Sequence, residues 1–141
     1  MQAVEISSAN PAATLKFSDF DGSHFVVSLD SPTIQIALRV GAFNEVGIDD
    51  AAALVELLGT MNDQWRGWDG ELRWAALEGE FAIVATADSS GHVTLRLAFQ
   101  EISEPSPWSA EIEFILEAMQ VDEAHRKLRR YFSQTPMPVE R

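Results

Sequence analysis

Residues 80–100 read EFAIVATADSSGHVTLRLAFQ, with apolar and polar residues alternating on either side of Asp88-Ser89-Ser90-Gly91-His92. Period-2 alternation marks a strand that turns one face to a core and the other to water. Setting Ala87 opposite Val93 aligns Ala85 with Leu95, Ile83 with Leu97 and Phe81 with Phe99, so one face of the pair is wholly apolar. With strands over 80–88 and 92–100, the connection is Ser89-Ser90-Gly91. Its glycine suits the left-handed bulge position of a three-residue hairpin loop. The stretch therefore predicts antiparallel sheet with one covered face.

The same pattern extends in both directions. Further strands are expected over 71–77 and 108–118, the latter adding Trp108, Ala110, Ile112, Phe114 and Leu116 to the apolar face. Asp122 is expected to open a last helix with Ala124, Leu128, Tyr131 and Phe132 inward. Towards the N-terminus, Leu15, Phe17, Phe25, Val27, Leu29, Ile34, Ile36, Leu38 and Val40 share one face. Lys16, Ser18, His24, Ser28, Gln35 and Arg39 occupy the other. Asp21-Gly22 and Asp30-Ser31-Pro32 carry turn chemistry between these runs. Gly47-Ile48 breaks the pattern, and Asp49-Asp50 can cap a helix whose stripe is Ala51, Leu54, Val55, Leu58, Met61 and Trp65. Gly67 then supplies a left-handed stop.

Each half, about 13–66 and 71–132, thus reads as a strand meander followed by a helix. The expected fold is α+β, a two-layer sandwich with seven or eight mostly antiparallel strands and two helices on the apolar face. A single domain spans 1–141, with a loose tail over 133–141. Whether the strands make one sheet or two is open at this stage.

Composition narrows the function. The net charge is −12, from 22 acids against 10 bases, which repels phosphate backbones and anionic lipid surfaces and suits a basic protein partner. Cysteine is absent, so thiol catalysis, thiolate metal sites and disulfides are excluded together. The first residues lack the basic and apolar regions of a signal peptide, and the cytoplasm is the expected compartment. No cofactor or metal is expected: the glycines form no phosphate loop, and His24, His92 and His125 lie on separate elements without ligand spacing.

The pattern Trp65, Gly67, Trp68, Gly70, Trp74, Leu77-Glu78, Asp88 and Gly91-His92-Val93 resembles an uncharacterised family of small acidic bacterial proteins. Trp108 and the acidic strand before the last helix resemble that family's C-terminal part. The resemblance covers roughly the second half of the chain. It implies a shared fold and a bacterial origin, and it brings no activity and no catalytic residue.

Candidate chemistry is sparse. Asp88, Ser89, Ser90 and His92 hold the residue types of a Ser-His-Asp triad, but triad members converge from separate segments. A hairpin turn, with Asp88 accepting turn amides and pairing with His92, explains them better. Glu111 and Glu113 lie about 7 Å apart on one strand face, and the expected register sets Arg96 beside Glu113. Trp68, between Gly67 and Asp69-Gly70, is either a loop platform or a ring folded back over the helix end. Arg126, Lys127, Arg129 and Arg130, next to His125, form a basic patch on the last helix.

The leading expectation is a non-catalytic protein-binding module that masks a basic partner, an immunity or inhibitor protein being one version. Its contacts would be Trp68, Asp69, Glu111 and Glu113. The alternative is a small-molecule binder or enzyme whose pocket between sheet and helices has Trp68, His92 and Arg96 on its rim. A homodimer is a third possibility.

Overall fold

The computed structural model describes residues 3–9, 12–43, 49–105 and 107–133. Eight strands and two helices follow one another as β1 (Val4–Ala9), β2 (Ala12–Ser18), β3 (His24–Asp30), β4 (Gln35–Gly41), α1 (Asp50–Asp63), β5 (Leu72–Ala75), β6 (Phe81–Ala87), β7 (Val93–Glu101), β8 (Trp108–Leu116) and α2 (Ala118–Ser133). All strand pairs are antiparallel, and the fold is α+β as the alternation predicts. The strands divide into two sheets of four, ordered β1-β2-β3-β4 and β5-β6-β7-β8. The hairpin register is the expected one, from Phe81 opposite Phe99 to Ala87 opposite Val93.

Period-2 burial follows from this pleat. Leu15, Phe17, Phe25, Val27 and Leu29 are buried from the first sheet, and Phe81, Ile83, Ala85, Leu95, Leu97 and Phe99 from the second. The two sets join in one core: the Phe17 ring lies edge-on to Phe81 at 6.4 Å between centroids.

Each helix packs on the half that it does not follow. α1 leaves the first sheet and seats on β5, where Trp74 Nε1 donates to the Asp50 carbonyl at 2.9 Å and Leu77 N donates to Asp50 Oδ2 at 2.9 Å. Asp50 is therefore buried but satisfied, which is the condition for a carboxylate to sit inside. α2 leaves the second sheet and covers the first. Phe132 packs on Phe17, Phe20 and Phe25, and the Tyr131 hydroxyl accepts from Phe20 N at 3.0 Å. The helices pack on each other, and a Cβ added at Gly59 would come within 3.0 Å of His125 Nε2, so the glycine admits that imidazole.

Both helix starts have a physical cause. Asp49 caps α1 by accepting from Ala52 N at 2.9 Å. α2 opens at Ala118, one turn before the expected Asp122. Gln120, three residues after Glu117, reaches back to accept from Glu117 N at 2.9 Å, half of a capping box.

Other expectations need correction. β1 is the eighth strand of the expected seven or eight, and its alternation is faint because its inward set is only Val4, Ile6 and the polar Ser8. Ser133 belongs to α2, not to a tail. Trp65 is 57% exposed rather than part of the buried stripe, since α1 ends at Asp63 and the turn through Gln64-Arg66 swings it outward. Trp108 shares the inward parity of β8 but is 40% exposed at the strand's end. Gly47-Ile48 and residues 134–141 lie outside the described residues. No helix among the described residues is long and apolar enough to cross a membrane.

Candidate functional site

Three segments distant in sequence meet at one end of the molecule: the end of α1 with the turn that follows, the β6–β7 turn, and the start of α2. Asn62 Nδ2 donates to Asp122 Oδ1 at 3.0 Å, tying the helices together. Gly67, at φ +108°, passes so close to the hairpin that a Cβ would stand 3.1 Å from the Asp88 carbonyl oxygen. Only glycine combines that conformation with that approach. His92 Nε2 reaches Glu117 Oε2, just before α2, at 3.8 Å.

Trp68 folds back as the second of the two readings has it. Its ring is half-buried against the core, and Nε1 donates to the Ala85 carbonyl at 3.4 Å. Asp69 beside it is exposed. The aromatic platform at this end is Trp65 instead, with the Arg66 guanidinium 4.8 Å from its ring centroid. Across from it stands Met119, 85% exposed. Between them runs a groove of about 430 Å³ lined by Asn62, Trp65, Met119, Asp122, Glu123 and Arg126.

Trp65 and Met119 escaped sequence reasoning for related reasons. Trp65 keeps the helical spacing of the α1 stripe although the helix has already ended. Met119 precedes the expected helix start. On the observed helix it stands two residues before the buried Val121, about 200° away from it, and that off-stripe position is the signal that could have found it.

The β6–β7 turn is a latch. Asp88 Oδ1 accepts from Ser90 N at 2.9 Å, His92 N at 3.1 Å and Ser90 Oγ at 2.6 Å, and His92 Nδ1 lies 3.6 Å from Asp88 Oδ2. The Ser90 hydroxyl, followed by the His92 and Ser90 amides, holds the Asp88 carboxyl below the usual aspartate range. Ser90 Oγ also lies 2.7 Å from His92 Nδ1. A hydroxyl has one proton, and with that proton on Asp88 the imidazole must be the donor at this contact. Ser90 is thus not poised to give its proton to His92, which a nucleophile–base pair requires.

The other expected residues are spread over separate surfaces. Glu111 and Glu113 are exposed on the outer face of β8. Glu113 stands opposite Arg96 in register, as expected, yet Arg96 pairs with Glu71 at 3.4 Å, and Glu71 also holds Arg73. Trp68, His92 and Arg96 line neither the groove at Trp65 nor a second one of about 260 Å³ beside Phe43 and Arg129. In the basic patch, Arg126 pairs with Asp122 at 3.1 Å. Lys127 pairs with Glu123 at 3.6 Å and donates to the Glu5 carbonyl at 3.2 Å. Arg129 borders the second groove and Arg130 is exposed.

Residues 6–135 match the model of DUF6228, a family of unknown function. The chain belongs to that family. The match spans both halves, not only the second half on which the Trp-Gly pattern stands. Trp65, Gly67, Trp68, Asp88, Gly91 and His92, scattered in sequence, lie together at the end just described. A search of the curated proteins finds no match.

Proposed function

We propose that this member of the family is a non-catalytic protein-binding module that docks a partner on the end formed by α1, the β6–β7 turn and the start of α2. The observation that carries the reading is the groove between Trp65 and Met119. Trp, Met and Arg are the residue types enriched in protein interfaces. A tryptophan that is more than half exposed across from a nearly bare methionine is an anchor without a cover. The chain's net charge of −12 supports a basic partner, drawn in by the field and held by the apolar anchors. Masking such a partner, as an immunity or inhibitor protein does, is the concrete form of this function.

The test is affinity capture from lysate of the source cells with the wild type and with Trp65→Ala/Met119→Ala. Retention of a stoichiometric protein by the wild type and its loss with the double variant are expected. Equal retention by both would remove the groove from the interface, and loss with Glu111→Ala/Glu113→Ala instead would move the interface to the outer face of β8. The volume of the groove, about 430 Å³, supports a second reading in which a small molecule occupies it. A metabolite that raises the melting temperature of the wild type but not of Trp65→Ala would favour that reading.

A further inference from the structure

The four sheet edges are not treated alike. At β1, Gln120 Nε2 donates to the Ser7 carbonyl at 3.0 Å and Lys127 Nζ to that of Glu5, so α2 occupies two of its backbone acceptors. β8 runs beside β1, and α1 lies on β5. The far edge of β4 has no such cover among the described residues. The single exception is its end, where Gly41 N donates to Glu80 Oε2 at 2.8 Å. Backbone groups alternate sides along a strand, so the N–H and C=O groups of Gln35, Ala37 and Arg39 point the same way as the Gly41 N–H, to the side on which no described strand pairs with β4. Natural sheets blunt open edges with charged side chains, lysine above all, with proline or with bulges; β4 has no lysine, proline or bulge, and its one charged residue is Arg39.

We infer that β4 pairs antiparallel with β4 of a second copy, joining the two first sheets into one of eight strands about a two-fold axis at Ala37. This register leaves out Gly41, whose N–H is already taken, and uses all the open groups. Ala37 faces Ala37 of the second copy and Gln35 faces its Arg39, with about six backbone hydrogen bonds across the seam. On the inner face, Ile36 meets Leu38 of the second copy, and the exposed Ile34 meets its Val40. Side chains are also complementary on the outer face. Asp30 stands opposite Gln35 and accepts from its Nε2 at 3.1 Å, so the row continues Asp30, Gln35, Arg39 of the second copy. Asp30 and that arginine are then about 10 Å apart at Cα, two strand spacings, within the combined reach of the two side chains. Among the described residues of one chain, Arg39 reaches only Asp21, at 4.0 Å. The symmetry makes two such ion pairs and sets no like charges directly opposite.

Analytical ultracentrifugation of the purified chain tests this, and a dimer is expected. Ala37→Pro removes the central N–H and is expected to give a monomer with an unchanged far-UV circular dichroism spectrum, because that N–H faces away from β3. Asp30→Arg and Arg39→Asp each bring like charges together and should raise the dissociation constant ~10-fold. The double exchange should recover most of that loss, a rescue that a folding defect would not produce. A monomer at the highest soluble concentration, a dimer that survives Ala37→Pro, or single and double charge variants that weaken alike would each overturn the proposal.

Discussion

In the first half Phe17, Phe20 and Phe25 lie under α2, and in the second half Trp74 lies under α1, so two halves with the same strand–helix order are each closed by the other's helix. The covers differ in chemistry. α1 buries Ala51, Leu54, Leu57, Leu58 and Met61 and brings a buried aspartate to β5. α2 buries a narrower stripe of Val121, Ala124, Leu128 and Tyr131, and its polar side chains reach the backbone edge of β1. Among the described residues, the edge of β4 and the end where α1 stops and α2 starts are left bare by this exchange. Where a helix lands after leaving its own half decides which surfaces remain available for binding.

The largest effect that could break this comparison lies at Phe17, whose ring contacts Phe25 and Phe132 and crosses to Phe81. Phe17→Ala is expected to cost about 3–5 kcal/mol. Urea titration should show a single transition by probes placed in either sheet, and two separate transitions would mean that the halves fold independently.

The two helix tethers come next. Tyr131→Phe strands the buried Phe20 N–H without its acceptor, at about 1–3 kcal/mol, whereas Trp74→Phe removes a donor from a carbonyl, at about 1 kcal/mol. If exchanged helices lock the halves, both should lower the one global transition measured by thermal unfolding. Burial raises the Tyr131 pKa, so folding favours the neutral phenol. The sign follows: its contribution is fully present below the unfolded tyrosine value near about pH 10 and is lost as pH rises through the higher folded value. Tyr131→Phe should flatten that alkaline loss.

Legibility in the sequence followed the range of the interaction. The β6–β7 register, the capping role of Asp49 and the positive φ of Gly67 and Gly91 are local, and the sequence carries them. The division into two sheets and the helix exchange are not local. A meander names each strand's neighbour in sequence but not the element that closes its edge. Trp65 and Met119 fall between these cases: each sits within one turn of a helix boundary, and an error of that size moves a side chain from core to solvent.

Smallest of the expected effects is at the β6–β7 turn. The depressed pKa of Asp88 means that its contribution is present above the unfolded aspartate value near about 3.9 and lost as pH falls through the lower folded value. Asp88→Asn should leave the global transition almost unmoved at neutral pH. Hydrogen exchange should quicken only in residues 88–92 and in the Gly67 segment against them. Quickening throughout the second half would make the turn part of the core rather than part of the exposed end.

The docking role proposed for the Trp65–Met119 end is tested most directly by photo-crosslinking in the source cells. p-Benzoylphenylalanine would replace Met119 in one variant and Glu113 in another. A single covalent adduct with a discrete protein from position 119, and none from position 113, is the expected result. An adduct from position 113 alone, or from neither position, would contradict the account.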